Sequence, residues 1–390
     1  MHYLPKPLSI QFELSNVCNA LCSSCNRNTI DWSILKPMVD RGEHVDITNL
    51  PMKVREEVGS PQYLTKEIFT NIFSGAPSVR EIYFCGTIDD PLAHKDLIGI
   101  TKHVFDIRPD MHLGAHTNGS IRNPDYFKRW AEALKGKDHF IWFSIDGLED
   151  TNHLYRKNCQ WDKIIANAKA FIEAGGVAGW QYLIFPWNEH QVDEAKALAD
   201  KLGFKKFRSR VNKSPLLNDL SNHVKQERSR LNRIRRHGVD FNDEVVLKDP
   251  IYCAWQKEVQ QYHVSYDGRL WPCCYMNSTK TQRSEMLNER IDGNYGSDWN
   301  NLYKNSWNDV IAHEFYSNDL VSSWDSKSHG SKPGDRIYRC TEVCTKKVAF
   351  KATNFSENTD FKTGKVIVQE ANNEIARLRA KEWKQGKRDY

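Results

Sequence analysis

The chain of 390 residues is long for a single hydrophobic core, so its length predicts two modules. Its 39% hydrophobic and 27% charged residues are typical of a soluble globular protein, and no apolar run approaches the roughly 18 residues that a membrane span needs. The net charge of +5 is slight for this length and does not by itself indicate a nucleic acid partner.

Segments typical of strands and helices alternate through the first half of the chain. The predicted strands are Leu8–Leu14, Glu81–Cys85, His112–His116, Phe140–Ile145, Trp180–Phe185 and Lys205–Val211. The predicted helices are Leu64–Phe73, Lys95–Phe105, Asp125–Leu134, Asp162–Ala174 and Val192–Lys201, with a polar insertion at about 28–62. Repeated strand–helix units with right-handed crossovers indicate an α/β fold with a parallel sheet, and six units fit a partial (β/α)6 TIM-like barrel.

Three cysteines, Cys18, Cys22 and Cys25, follow the first predicted strand as C-N-A-L-C-S-S-C. Thiolates at this spacing on one short loop can converge on a soft metal centre. Three thiolates are one fewer than an ordinary [4Fe–4S] cluster uses, which leaves one iron open to a small molecule. The alternative is a closed zinc site, but that site expects a fourth ligand, and His44 lies nineteen positions beyond Cys25.

The stretch from Phe12 to Arg27 resembles the cluster loop of radical S-adenosylmethionine (SAM) enzymes, whose signature is C-x3-C-x2-C. Ser24 is a departure, since many members have an aromatic residue just before the third cysteine. The resemblance implies a partial (β/α)6 barrel and a [4Fe–4S] cluster on the three cysteines, whose open iron binds SAM. It also implies that an electron donor such as flavodoxin or ferredoxin drives cleavage of the sulfonium bond, and that a 5′-deoxyadenosyl radical then abstracts hydrogen from the substrate.

The loop after the second predicted barrel strand is similar to the family's Gly-Gly-Glu-Pro motif. It runs from Phe84 to Leu92 as F-C-G-T-I-D-D-P-L. The resemblance implies that Gly86 and Asp90 hold the SAM amino group, because an ammonium needs acceptors that no bulky side chain crowds. The alternative is an ordinary Asp-Asp-Pro turn after a strand.

Three further loops at the carboxyl ends of predicted strands resemble family loops, and ligands of parallel α/β folds gather at that edge. Asn118, in H-T-N-G, and Ser144, in F-S-I-D-G, are candidates for binding the ribose hydroxyls and the methionyl carboxylate of SAM. Arg156 is the candidate partner of that carboxylate, with a surface salt bridge as the alternative. Asn118 and Asp146, the acid of F-S-I-D-G, could instead form Asx turns. The segment F-P-W-N-E-H after the fifth predicted strand also resembles a family segment, and its Asn188 could simply be a helix N-cap.

Four later cysteines, Cys253, Cys273, Cys340 and Cys344, predict a second site. The C-x14-G-x4-C segment resembles the opening of the SPASM and twitch extensions of radical SAM enzymes, which hold auxiliary iron–sulfur clusters. A hairpin over 262–272 with a turn at Asp267-Gly268 brings distant thiolates together, and a helix is predicted near 305–314. Four thiolates suit one auxiliary [4Fe–4S] cluster, as in the twitch form, and a structural zinc is the alternative.

Three other cysteines have different expected roles. Cys274 adjoins Cys273 and is an alternative ligand, although the spacing from the hairpin glycine favours Cys273. Cys85 and Cys159 fit packing positions better than ligand positions. The closing pair of the second site is C-x3-C, where two intervening residues are usual in the family.

The predicted domains are a radical SAM core at 1–212, a basic helical linker at 213–249, a twitch or SPASM-like domain at 250–350, and a charged helical tail at 351–390. The basic run at 228–237 lacks aromatic residues for base stacking, so nucleic acid is not an expected partner. The N-terminus lacks a signal-peptide pattern, and ten cysteines without an export signal indicate metal binding in a reducing compartment. A cytoplasmic location is therefore expected.

Together these features predict a radical SAM oxidoreductase that acts on a small molecule or sugar, with the auxiliary cluster accepting an electron. The arrangement resembles twitch-domain dehydrogenases that oxidise an alcohol on an aminoglycoside precursor. A peptide maturase is the first alternative; such enzymes often begin with a peptide-binding winged helix, and only seven residues precede the first predicted strand here. A non-catalytic iron–sulfur or zinc-binding protein is the second, with Ser24 and Asp90 as departures from the family pattern.

Overall fold

Strands and helices alternate along the part of the chain that the computed structural model describes, which comprises residues 7–43, 45–84, 87–211, 250–253, 256, 259–277, 285–344 and 355–370. The strands are β1 Ser9–Phe12, β2 Asn28–Ile30, β3 Met52–Val54, β4 Glu81–Phe84, β5 His112–Thr117, β6 His139–Ser144, β7 Ala178–Ile184, β8 Lys206–Val211, β9 Gln261–Val264, β10 Leu270–Trp271, β11 Phe355–Asp360 and β12 Val366–Glu370. The helices are α1 Trp32–Asp40, α2 Lys66–Gly75, α3 Leu97–Ile107, α4 Pro124–Leu134, α5 Asn152–Tyr155, α6 Trp161–Glu173, α7 Val192–Lys201, α8 Glu285–Tyr295, α9 Trp307–Ala312, α10 Leu320–Ser322 and α11 Tyr338–Cys344.

Six parallel strands form the centre of the sheet, in the order β1, β4, β5, β6, β7 and β8. Helices α2, α3, α4, α6 and α7 each precede the next strand of this series. The predicted α/β fold with a parallel sheet is thus confirmed, and every predicted barrel strand and helix is present within two residues of its expected ends. The arrangement is consistent with a partial TIM-like radical SAM core, and it directs the carboxyl ends of six strands to one edge.

Alternate side chains of the parallel strands pack against the helices. Phe12 of β1 and Phe84 of β4 are buried, and their ring centroids lie 4.7 and 6.1 Å from that of Phe69 on α2. In α2 the buried residues recur at helical spacing, which presents one apolar stripe to the sheet. Because successive side chains of a strand point to opposite faces, the intervening residues line the inner face of the sheet, away from the helices.

Two hairpins extend the sheet to ten strands. Strand β9 pairs in parallel with β1 and antiparallel with β10, and this is the hairpin that the sequence predicts, with Gly268 at a φ of +80° in its turn. The strands of this hairpin therefore continue the sheet of the amino-terminal core. The predicted helix near 305–314 is also present, as α9.

The prediction of a helical tail is wrong where the structure describes the tail. Phe355–Asp360 and Val366–Glu370 are strands, and β11 pairs antiparallel with both β8 and β12. The Asp360 carboxylate accepts the backbone N–H groups of Lys362 and Thr363 in the tight turn between them. Alternating charges along a tail also suit a strand, and the unpaired backbone groups at the edge of β8 favour strand pairing over helix formation.

The polar insertion at 28–62 has its own small core. Strands β2 and β3 pair antiparallel, and the side chain of Asp31 caps the start of α1. The buried residues Ile30, Leu35 and Leu50 pack together, separate from the main core.

Several predicted features lie outside the described residues. These are the linker at 213–249 with its basic run, Cys85 and Gly86, and the tail beyond residue 370. Among the helices that the structure does describe, none has the length and apolar character needed to cross a membrane.

A glycine makes room for aromatic rings on the inner face of the sheet. Gly179 of β7 lies beside β6, and a Cβ atom added to it would lie 2.6 Å from the ring of Trp142 and 2.8 Å from that of Phe140. The two rings therefore occupy the space that a larger residue at position 179 would need.

We expect Gly179→Ala to lower the free energy of unfolding by about 1–3 kcal/mol, because the added methyl group displaces two packed rings. The matched control is Gly293→Ala on α8, where a Cβ atom meets nothing within 4 Å and a gain of up to about 1 kcal/mol is expected. Urea unfolding of the anaerobic protein measures both. Equal midpoints for Gly179→Ala and the parent would contradict the prediction.

Candidate functional site

The three amino-terminal cysteines lie on one loop that leaves the carboxyl end of β1. The backbone N–H of Cys25 donates to the carbonyl oxygen of Cys22 at 3.2 Å, which folds the loop back on itself. Burial raises the pKa of Cys22 to about 12, and the neighbouring thiols of Cys25 and Cys159 add to the shift while Arg156 opposes it. Burial also raises the pKa of Cys18 and that of Cys25. Three thiols in mutual electrostatic contact become stable thiolates only with a cationic occupant, so this donor set suits a metal centre.

Side-chain amides hold the cysteine loop in place. The Asn28 amide, at the start of β2, donates to the carbonyl oxygens of Ala20 and Cys22 at 3.3 and 3.1 Å. Asn16 donates to the carbonyl oxygens of Val58 and Ser60 at 2.9 and 2.8 Å. A loop without a strand partner needs such donors for its buried carbonyl groups. The insertion at 28–62 thus supports the cysteine loop.

Asp90 connects the loops after β4 and β5. It begins the turn Pro91–Ala93, and its buried carboxylate accepts the backbone N–H of Leu92 at 3.0 Å. It also accepts the Thr117 hydroxyl at 2.9 Å and the backbone N–H of Asn118 at 2.7 Å. Both oxygens of Asp90 therefore have protein donors, so the turn role that the sequence left as an alternative is present. Its contact with a SAM amino group stays a prediction, and Gly86 lies outside the described residues.

Asn118 contacts the first of the cysteine thiols. Its amide nitrogen lies 3.6 Å from Cys18 Sγ and donates to Asn19 Oδ1 at 2.8 Å, while its oxygen accepts the Ser120 backbone N–H at 2.8 Å. Asn118 therefore makes the Asx-type turn and also contacts the cysteine loop, while its contact with SAM stays a prediction.

Arg156 and Asp146 form a buried ion pair beside the cysteine loop. Arg156 Nε donates to Asp146 Oδ2 at 2.6 Å, and its Nη1 lies 3.9 Å from Cys22 Sγ. Asp146 is 0% exposed, and its other oxygen accepts the backbone N–H of Leu183 on β7 at 2.6 Å. The salt bridge of Arg156 is thus a largely buried one, with the Arg156 side chain 16% exposed, and Asp146, which the sequence analysis considered only as a turn residue, contributes a contact.

Asn188 and Ser144 are two further residues of the predicted site, and both are buried near Asp146. Asn188 does not cap a helix with its side chain; its amide donates to the carbonyl oxygens of Asp146 and Leu183 at 2.8 and 2.9 Å. Ser144 is buried at the carboxyl end of β6, on the inner face. No described residue makes a hydrogen bond with its hydroxyl, and the SAM contact of Ser144 stays a prediction.

The four later cysteines are mutual electrostatic neighbours; Cys273 lies just after β10, and Cys340 and Cys344 lie on α11. The Cys344 thiol is hydrogen-bonded to that of Cys253, and this bond, burial and the charges of Cys340 and Cys273 all raise the pKa of Cys344. Burial, followed by the charges of Cys274, Cys253 and Cys340, raises the pKa of Cys273. Burial also raises the pKa of Cys274 to about 11, and Glu13 adds to that shift. The choice of Cys273 over Cys274 as a ligand stays a prediction.

Within the described ranges, no three His, Cys, Asp or Glu side chains are grouped tightly enough to hold a single metal ion. One zinc ion with Zn–S bonds of about 2.3 Å requires thiolates within roughly 4 Å of one another. An iron–sulfur cluster is larger than one ion and accepts a wider spacing.

Residues 12–199 match the family model described as the Radical SAM superfamily. The chain carries a radical SAM domain. The match begins within β1 and ends within α7, and it includes the cysteine loop, Asp90, Asn118, Ser144 and Arg156.

Three solved structures are similar to this chain at low identity. SuiB of Streptococcus suis bound to precursor peptide SuiA has 14% identity and a TM-score of 0.45, over 76% of this chain and 66% of that chain. Native anSMEcpe with bound AdoMet has 15% identity and a TM-score of 0.42, over 88% and 97%. BtrN in complex with AdoMet and 2-DOIA has 11% identity and a TM-score of 0.37, over 80% and 84%. This chain thus spans just under two thirds of the SuiB chain, and no curated protein matches the sequence.

The inner face of the radical SAM domain carries aromatic and cationic side chains that the sequence analysis did not single out. His116 of β5 stacks on Trp142 of β6 with ring centroids 6.4 Å apart, and Arg208 of β8 lies 4.2 Å from the centroid of the Trp142 ring. Burial, followed by the positive charges of Arg208, Arg210 and Arg156, lowers the pKa of His116 to about 3. His116 is therefore neutral at physiological pH. The alternation of cationic and other residues along β8 was the sequence pattern that could have indicated a charged inner face.

The lowered pKa of His116 predicts a pH-dependent stability. The unfolded chain binds a proton at His116 below about pH 6.5, whereas the folded protein does so only near pH 3, so stability is lost as the pH falls between these values. Between about pH 7 and about pH 5.5 the loss attributable to this residue is about 1 kcal/mol.

Urea unfolding at both pH values measures this effect in the parent protein and in His116→Gln. We expect the variant to lose about 1 kcal/mol less than the parent over this range. The exposed His190 supplies the control variant His190→Gln, which should follow the parent. If His116→Gln and the parent have the same pH dependence, His116 is not held neutral by its surroundings.

Proposed function

We propose that this protein is a radical SAM oxidoreductase in which Cys18, Cys22 and Cys25 hold the SAM-binding [4Fe–4S] cluster. Members of the Radical SAM superfamily are enzymes. The main supporting observation is the meeting of three elements at the carboxyl edge of the parallel sheet: the three-cysteine loop, the Asn118 amide against Cys18, and the Arg156 guanidinium against Cys22. Three thiolates with cationic and amide donors beside them suit a cluster with one open iron.

The residues around the thiols have distinct roles in this proposal. When bound, the cluster supplies an open iron for SAM and the electron that cleaves it, which a donor such as flavodoxin or ferredoxin provides. Arg156 opposes the negative charge of the thiolates, and Asp146 fixes its orientation. Asn118 donates toward a sulfur atom, and such hydrogen bonds help to set the potential of a cluster. Burial of Cys22 keeps water away from the ligands.

The proposal includes an auxiliary [4Fe–4S] cluster on Cys253, Cys273, Cys340 and Cys344. Its support is the grouping of these four thiols, three of them less than 8% exposed, with hydrogen-bonded Cys344 and Cys253 at its centre. Four cysteine ligands leave no open iron, which suits electron transfer from a substrate radical and a net two-electron oxidation of a small molecule.

We expect Cys22→Ala to lower the iron content of the anaerobically reconstituted protein by about four atoms per chain and to abolish formation of 5′-deoxyadenosine from SAM and dithionite. Cys159 offers a stringent control, since it is buried and lies within electrostatic range of Cys22 without belonging to the motif. Cys159→Ala should retain both the iron and the product. Loss of iron in Cys159→Ala, or zinc in the parent protein, would overturn the assignment.

We expect Cys340→Ala to lower the iron content by about four atoms per chain while the iron of the amino-terminal loop remains. The adjacent-cysteine control is Cys274→Ala, which should have the iron content of the parent, because the spacing from Gly268 favours Cys273 as the ligand. Metal analysis and electron paramagnetic resonance of the reduced proteins measure this. Iron loss in Cys274→Ala but not in Cys273→Ala would exchange the two assignments, and zinc in the parent would replace the auxiliary cluster by a structural ion.

A further inference from the structure

Three cationic residues occupy alternate positions of β8 and face the inner side of the sheet, away from the helices. Phe207 of this strand is buried and packs against Trp180 and Tyr182, with ring centroids 6.0 Å away in both cases. Lys206, Arg208 and Arg210 occupy the alternate positions, so their side chains project from the opposite, inner face at intervals of roughly 7 Å. Like charges in such a row repel one another and lose hydration, so each needs a compensating partner.

The three cations have different partners along β8. Lys206 Nζ lies 3.7 Å from Asp360 Oδ2, which gives it an anionic partner. Arg208 Nε donates at 2.7 Å to Asn358 Oδ1, which is neutral. Arg210 Nε is buried and has no hydrogen-bond partner among the residues that the structure describes. The cation nearest the edge where substrates bind is thus the one whose buried donor has no partner in the described chain.

A carboxylate that interacts with Arg210 is already engaged. The positive charge of Arg210 favours the ionised form of Asp146, but the two oxygens of Asp146 accept Arg156 Nε and the Leu183 backbone N–H. Arg156 in turn lies against Cys22. Arg210 therefore interacts with this carboxylate at a distance, and both oxygens of Asp146 already accept other donors.

A planar surface lies beside the cations. Trp142 stacks with His116 at an interplanar angle of 26°, and Arg208 lies over the same indole ring. His116 is neutral there, so it adds a polar, uncharged ring. Aromatic rings next to guanidinium groups suit a ligand that has an apolar or planar part attached to an anion.

We propose that Arg210, with Arg208 beside it, binds an anionic group of the substrate, a carboxylate or a phosphate, while Trp142 and His116 contact the adjoining part of that molecule. The substrate class is therefore an anionic small molecule. This inference rests on the proposed function, because the anion would then lie next to the cysteine loop, where the radical that abstracts hydrogen is formed.

The test uses isothermal titration of the cluster-loaded protein with inorganic phosphate and with benzoate as probes, so that the tighter of the two identifies the anion. We expect Arg210→Gln to weaken the binding of that probe about 10- to 100-fold, the effect of losing a hydrogen bond to a charged group. Arg210→Lys should recover part of the loss. Arg129→Gln is the control, since Arg129 is an exposed arginine of α4 that pairs with Asp125.

A second measurement needs no variant and covers the case in which Arg210→Gln does not fold. Phenylglyoxal modification, mapped by mass spectrometry, should be slowed at Arg210 but not at Arg129 by the probe that binds. Equal binding by the parent and Arg210→Gln, no binding of either probe, or no protection of Arg210 would overturn the proposal. So would a loss of SAM affinity in Arg210→Gln with unchanged probe binding, which would assign Arg210 to the SAM carboxylate.

The two proposals fail separately. If the parent forms no 5′-deoxyadenosine but binds an anion at Arg210, the function is wrong and the anion site stands. If it forms 5′-deoxyadenosine but Arg210 binds no anion, only the substrate class is wrong.

Discussion

Two buried carboxylates hold the loops on which the candidate site depends. Asp90, after β4, accepts the backbone N–H of Asn118 after β5, and Asp146, after β6, accepts the backbone N–H of Leu183 on β7. Each carboxylate thus joins one strand end to the next. Hydrogen bonds to a buried charge are strong, and removing one partner is costly because the other is left without compensation. Asn118 and Arg156, which contact the cysteine thiols, take their positions from these two carboxylates.

Charge is distributed unevenly around this edge of the sheet. The thiols of the amino-terminal loop are a source of negative charge once they bind a metal, and Arg156 faces them. On the inner face, the buried Nε of Arg210 has no hydrogen-bond partner in the described chain. A site with fixed charges in a poorly hydrated interior binds complementary groups more strongly than the same charges in water. The proposed cluster and the proposed substrate anion are therefore neighbours that share one electrostatic field.

The parallel strands were predictable because most of them are short runs of buried residues, and the helices between them have apolar stripes at helical spacing. The tail was not, because its alternating charges suit either a helix or an edge strand, and the free edge of β8 decided between them. The structural role of Asp146 was not predicted from the sequence for a similar reason. In the sequence it is an acidic residue in a turn, and only the approach of Arg156 and Leu183 reveals it as the centre of a buried network.

The sequence by itself determined the spacing of Cys18, Cys22 and Cys25, the order of strands and helices, and the alternation of cations along β8. These are local properties, since they depend on residues only a few positions apart. Only the tertiary structure decided that β9 continues the core sheet, and that Arg210 has no hydrogen-bonding partner for its buried Nε in the described chain. Those features depend on strand register and on contacts between distant segments, and no local pattern of side chains encodes which distant group will be the neighbour.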